Sequence, residues 1–291
     1  MLSKLRLTDQ ANRLAARQKK QPGKEYKMKP KPRFDNPAYT PGQQLKNKVA
    51  VITGGDSGIG RAIALLFAKE GADIVIVYFN EHTDAKKTQQ EVIKLGRRCE
   101  IISKNIAEEK NCQQLIKTVI KNFKQIDILV NNAGVQFPKK SITDISQQQL
   151  TQTFSINIFS FFYMIKHVLP FMKKGSVIIN TTSVTAYKGS ENLLDYSATK
   201  GAIVSLTRSL ALNLVKKGIR VNGVAPGPIW TPLIPSSFDK KKLKKFGKNV
   251  PMERMGQPEE IAPAYLFLAS SLSSYMTGQI LHPNGGVVVN G

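Results

Sequence analysis

A chain of 291 residues with 41% hydrophobic content can bury a large core in one sizeable domain or two small ones. A formal charge of +23 would ordinarily point to nucleic acid or a membrane surface, but its distribution argues otherwise: residues 1–48 hold 13 Lys/Arg against 3 Asp/Glu, net +10, and "DKKKLKKFGKN" at 239–249 adds net +5. Two cysteines without CxxC spacing fit a reducing compartment, and His82, His167 and His282 lack ligand spacing, so no metal is expected.

The first twenty residues are rich in Arg but lack the apolar stretch of a secretory signal; Asp9 and the scarcity of serine weaken a transit-peptide reading. Residues 21–42, "QPGKEYKMKPKPRFDNPAYTPG", hold too little apolar surface to offset ordering entropy. Residues 1–44 are therefore expected as a basic, extended or disordered arm. The body, 45–291, alternates short β-branched runs with longer periodic ones. Strands are predicted in "KVAVIT", "ADIVIVYF", "CEIIS", "IDILVNNAG", "GSVIINTTS", "IRVNGVAPG" and "GQILHPNGG". Helices are predicted near 58–70, 84–95, 108–124, 147–173, 196–216 and 258–270. This alternation implies an α/β fold, a doubly wound parallel seven-stranded sheet with helices on both faces. The most apolar segment, "FSINIFSFFYMIKHVLPFM", is interrupted by Asn157, Lys166 and His167 and is expected to pack within a soluble, cytoplasmic protein.

Two local patterns suggest chemistry. The first strand runs into "TGGDSGIG" and then a helix, a turn whose glycines let backbone approach a pyrophosphate at a helix N-terminus. Its register is T-G-x-x-x-G-x-G rather than G-x-G-x-x-G, and a plain tight turn is the alternative. Further on, Tyr196 and Lys200 stand four residues apart on a predicted helix, so an ammonium can sit beside a phenol. Either an acid–base pair or a surface contact fits that spacing.

"TGGDSGIG", "NNAG" at 131–134, Asn157, Ser183, "YSATK" at 196–200 and "PGPIWT" at 226–231 follow the order and spacing of the short-chain dehydrogenase/reductase family. The resemblance covers 46–288. "VYFNEH" and "APGPIWTPLIP" are most similar to bacterial general-stress oxidoreductases and aldehyde reductases with an N-terminal extension. It implies a Rossmann-type fold, a nicotinamide cofactor and a carbonyl or alcohol substrate. Tyr196 would be the acid/base, Lys200 the group lowering its pKa, Ser183 a hydroxyl on the substrate oxygen, and Asn157 the holder of a water linking lysine to solvent. Cofactor contacts are implied at Gly54, Asp56, Ser57, Gly58, Ile59, Gly60, Tyr78, Asn105, Ile106, Asn132, Ala133 and Gly134, at Tyr196 and Lys200, and at Pro226, Gly227, Ile229 and Thr231.

The family's ribose-binding acid is replaced by Tyr78, with Glu81 three residues on, and neither Ser57 nor Phe79 is basic. Asp56 and Glu81 would repel a 2′-phosphate, so NAD is favoured over NADP. Asn105 stands where relatives carry Asp toward adenine. In relatives the long helix and that bearing Tyr196 pair across a subunit interface, so the resemblance implies a homotetramer; the Lys-rich 239–249 segment falls where relatives have a lid and is expected as a helical lid with exposed lysines, with Pro228 and Trp230 walling the pocket. The competing reading is a dinucleotide sensor or nucleic-acid binder working through its basic arm, a partner that the intact Asn157, Ser183, Tyr196 and Lys200 set disfavours.

Overall fold

The computed structural model describes residues 17–18 and 20–289; the transit-peptide reading of the first twenty residues falls almost entirely outside them. Valine, isoleucine and leucine dominate the strands because both faces of the sheet are covered. In chain order the elements are β1 (Val49–Thr53), α1 (Gly58–Lys69), β2 (Asp73–Tyr78), α2 (His82–Lys94), β3 (Cys99–Ser103), α3 (Glu109–Phe123) and β4 (Ile128–Asn131). There follow α4 (Gln147–Phe154), a π-helical turn (Ser155–Phe159), α5 (Ser160–Val168), β5 (Val177–Thr181), α6 (Thr185–Lys188) and α7 (Leu194–Leu214). Last come β6 (Arg220–Val224), α8 (Leu233–Ser237), α9 (Lys240–Lys245), α10 (Pro258–Ala269) and β7 (Ile280–Leu281).

All seven strands are parallel, in the order β3-β2-β1-β4-β5-β6-β7. The chain reverses direction across the sheet between β1 and β4, which opens a crevice at the carboxyl ends of these two strands. One apolar layer packs α1 and α10 on Ile52, Ile74, Ile76 and Ile179; the other packs α3, α5 and α7 on Val51, Val75, Leu129 and Ile178. Gln147–Phe171 is the described helical stretch long and apolar enough to cross a membrane, despite Lys166 and His167. Here it is a layer helix, packed on α3 and α7.

The described part of the arm, although extended, is fastened to the domain along its length. Glu25 and Met28 are buried. The Trp230 indole donates to the Pro30 carbonyl at 2.9 Å, and the Glu70 carboxylate takes N–H bonds from Gly42 and Gln44.

Candidate active site

The crevice is a cavity of about 1080 Å³ at the carboxyl edge of the sheet. Its floor begins at the glycine turn. Gly54 and Gly58 take φ of +65° and +52°, the left-handed region that glycine enters without strain. Gly60 serves another purpose: a Cβ there would lie 2.0 Å from the Gly54 carbonyl oxygen, so its bare Cα is what lets α1 close on β1. Thr53 braces the neighbouring loop, its hydroxyl oxygen accepting the N–H groups of Asn132 (2.9 Å) and Ala133 (3.1 Å). The Asn132 amide in turn donates to the Thr53 carbonyl at 3.1 Å.

Tyr196 and Lys200 lie in the first two turns of α7, both buried. Lys200 Nζ stands 5.4 Å from the centre of the Tyr196 ring and donates to the Thr181 carbonyl at 2.9 Å. Asp195 fixes the start of this helix. One carboxylate oxygen takes the Tyr196 N–H, while the other takes the Thr153 hydroxyl (2.8 Å) and the Gln149 amide (3.0 Å). Asn157 falls in the π-helical turn, where the extra residue per turn aims its amide at β4's loop. Its oxygen accepts Val135 N–H at 2.8 Å and its nitrogen donates to Val135 O at 2.9 Å. A Cβ on Gly134 would sit 3.4 Å from Asn157 Oδ1 and 3.6 Å from Lys200 Nζ.

Burial dominates the electrostatics. It pushes the Tyr196 phenol up to about 12, with the Ser183 hydroxyl pulling more weakly the other way. It also pulls the Lys200 ammonium down to about 7. The sequence suggests a phenol lowered by its lysine; in the cleft burial is the larger cause and raises it, since the phenolate loses water there. At the other end Asp56 and Glu81 face each other, buried, beside Tyr78. Burial and then the Glu81 charge raise Asp56 to about 7.

Every catalytic and cofactor-contact residue implied by the resemblance lines the cavity except Gly60 and Asn157, which stand behind its wall; of the two expected pocket walls Pro228 lines it, but Trp230 does not, because its indole is buried among Met28 and Leu193 and donates to the Pro30 carbonyl. The Asn105 side-chain oxygen, Oδ1, already takes the Ala107 N–H at 3.1 Å, so it holds its own loop. Sequence reasoning missed Asp195, legible only as an acid at a helix start, as well as Thr53, and it missed Arg61, which no pattern singles out. It also missed the arm: Gln21, Pro22 and Gly23 line the same cavity.

The family model described as enoyl-(acyl carrier protein) reductase matches residues 54–288. The chain is 58% identical over 274 residues to the oxidoreductase YhxC of Bacillus subtilis, covering 94% of this chain and 95% of that one. It is 53% identical over 281 residues to the chloroplastic NADPH-dependent aldehyde reductase 1 of Arabidopsis thaliana, covering 94% and 98%. Among solved structures, 3-ketoacyl-(acyl-carrier-protein) reductase from Brucella melitensis, complexed with NADH, superposes with a TM-score of 0.76 at 31% identity over 83% of this chain and 98% of that one. The chain belongs to the short-chain dehydrogenase/reductase family. It is an NAD(P)-dependent oxidoreductase that moves a hydride between nicotinamide and a carbonyl/alcohol pair.

The residues present suit such a dinucleotide. The glycine turn offers backbone N–H groups at the start of α1 and leaves no room for side chains. The buried Lys200 ammonium has three donors and, among the described residues, one acceptor, the Thr181 carbonyl, which leaves donors for ribose hydroxyls.

Proposed function

We propose that Tyr196 delivers a proton to the oxygen of an aldehyde or ketone, and takes it back in alcohol oxidation. The observation that carries this reading is the convergence of Tyr196, Ser183 and Lys200 on one cavity with the glycine turn. The bound nicotinamide supplies or accepts the hydride. With the phenol raised to about 12, Tyr196 carries its proton near neutrality, the form that carbonyl reduction needs, and giving that proton up requires the phenolate to be stabilised. Ser183 orients the substrate oxygen toward that phenol. Lys200 attracts the phenolate left after transfer, and Asn157, bonded through both side-chain polar atoms to the Val135 backbone, fixes the loop beside Lys200. Tyr196→Phe tests the assignment: turnover is expected to fall at least about 10²-fold with cofactor affinity little changed. Retained turnover would refute it.

Two buried acids, Asp56 and Glu81, line the ribose end of the cavity. Carboxylates there accept hydrogen bonds from a ribose diol and repel a 2′-phosphate, which supports NAD as the preferred cofactor. Comparing kcat/KM for the two cofactors checks this, and a higher value with NADP would reverse it. Phe159 and Phe162 are exposed on the long helix, and Leu212 and Val215 toward the end of that bearing Tyr196. Such apolar surface supports a homotetramer of a cytoplasmic enzyme, which sedimentation equilibrium would read as four chain masses.

A further inference from the structure

We propose that the N-terminal arm is part of the dinucleotide site, with Glu25 a positioning residue for the glycine turn and residues 21–23 its outer wall. This rests on the dinucleotide-binding reading above. Ser57, at the N-cap of α1, makes no side-chain capping bond. That work falls to a residue 33 positions before Gly58: Glu25 Oε2 accepts the Gly58 N–H at 2.7 Å. Its other carboxylate oxygen is bonded to the Arg61 guanidinium. An anion at a helix start satisfies an orphan donor and suits the dipole. Arg61 offsets its charge, so the turn's remaining N–H groups stay attractive to phosphate.

Both partners are held from several sides. Glu25 N–H donates to Asp84 Oδ2 at 2.7 Å, and Tyr26 N–H to Asp84 Oδ1 at 3.0 Å. Arg61 reaches the Asp56 carbonyl (2.7 Å), the Asp84 carbonyl (2.9 Å) and the Thr88 hydroxyl (2.8 Å), with the Phe34 ring 5.2 Å from its guanidinium carbon. Glu25 and Arg61 are 2% and 1% exposed, so the pair is a fixed part of the turn rather than a surface contact. The Asp56 carbonyl at the bend of the loop is thereby tied to the same carboxylate that fixes Gly58.

From Glu25 the arm crosses the cleft. Gly23 lies against Pro232 so closely that a Cβ would meet the Pro232 carbonyl oxygen at 2.2 Å. Gln21 exchanges hydrogen bonds with the backbone of Gln136, beyond the Asn132–Gly134 loop; the Gln136 N–H donates to Gln21 Oε1 at 3.2 Å. The arm thus joins the glycine turn, the segment after β6 and the loop after β4, the three walls between which a dinucleotide lies. A ligand seated there is enclosed by residues 21–23, and its phosphates meet N–H groups that Glu25 and Arg61 have oriented.

The test uses the full chain and reads binding. Reduced nicotinamide fluorescence gives Kd for NADH and NADPH with the wild type, Glu25→Gln and the doublet Glu25→Met/Arg61→Met, which removes the buried pair and leaves the Asp84 carboxylate, 3.6 Å from Arg61 in the wild type, to the Glu25 and Tyr26 N–H groups. Both variants are expected to raise Kd about tenfold, while kcat at saturating cofactor falls less than threefold. The melting midpoint of each variant establishes that the protein assayed for binding is folded. Hydrogen exchange on the unmodified protein supplies an arm that does not depend on folding of a variant: amides of 21–26 should exchange more slowly when dinucleotide is bound. Unchanged Kd in a folded variant, or unchanged exchange at saturating dinucleotide, would overturn the proposal. A wild type that binds neither dinucleotide would instead refute the functional reading on which it rests.

Discussion

The two ends of the cleft are built on opposite principles. At the phosphate end, satisfaction is nearly complete: Glu25 and Arg61 answer each other, Thr53 holds the Asn132 loop, and Gly60 allows backbone to touch backbone. At the proton-transfer end, charge is stranded. Lys200 is buried with no carboxylate partner among the described residues, and Tyr196 is buried with its phenol far above neutrality. The first end stores shape; the second holds Tyr196 protonated, and its proton leaves readily only once the ionised phenol is stabilised.

Lys200→Met sets the two principles against each other most sharply. Turnover should fall by about 10²-fold or more, since nothing then attracts the phenolate. Stability should move the other way. The ammonium titrates near 7 in the fold against 10.5 in the open chain, so the unfolded state binds more protons between these values and the wild type is penalised most at the low end. The variant should melt above the wild type at pH 7, and the gap should narrow by pH 9. A variant that melts lower at pH 7 would show that the Thr181 hydrogen bond outweighs the burial of the charge.

Gly60→Ala attacks the phosphate end instead. The Gly54 carbonyl is backbone and cannot swing aside, so α1 must shift, at a cost of about 2 kcal/mol. Cofactor Kd should rise about thirtyfold if that strain falls on the turn, with the pH dependence of turnover unchanged because Tyr196 and Lys200 are untouched. A shifted pH profile would mean that the ends are not independent.

Sequence made the satisfied end's glycines and strands readable and left its ties unreadable. Alternation of β-branched runs with helical ones predicts all seven strands, though β7 shrinks to Ile280–Leu281 because only two of its residues pair with β6. The glycine turn is legible because left-handed φ and close approach leave few residue choices. Glu25 was not legible. Its neighbours are Lys, Tyr and Pro, and its partner Arg61 lies 36 residues away, so composition reads the segment as solvated. The π-helical turn at Asn157 escaped for the same reason, being a one-residue misfit inside an apolar periodic run. The stranded end was legible in residue type, as Tyr196 and Lys200, but not in electrostatic sign, because burial is a tertiary quantity.

Asp56 is the one place where the phosphate end resembles the other. Burial, then the Glu81 charge, raises its carboxyl to about 7, with the Ser57 side chain and Arg61 opposing. It is therefore neutral below pH 7 and negative above it, and repulsion of a 2′-phosphate grows as pH rises. The ratio of kcat/KM for NAD over NADP should increase from pH 6 to pH 8. Asp56→Asn should flatten that dependence and improve NADP about tenfold at pH 8; an unaltered ratio would free Asp56 from any part in cofactor choice.

The smallest effect belongs to α9, the other lysine-rich segment. Lys241, Lys242 and Lys245 line the cavity mouth but are exposed, and the helix is anchored by the buried Leu243 and by Asp239, whose carboxylate caps it through the Lys242 N–H at 2.8 Å. Unlike Arg61, these cations have water rather than burial around them, so they act through a screened field. Replacing all three with Gln should leave the melting midpoint within about a degree. With succinic semialdehyde, an anionic aldehyde, kcat/KM should drop about threefold at 20 mM salt and be unchanged at 500 mM, roughly one against several Debye lengths of screening. Butyraldehyde, which carries no charge, should respond at neither. A salt-independent loss with both aldehydes would instead make α9 a packing element of the substrate pocket, bringing the mouth of the cleft closer in character to its phosphate end.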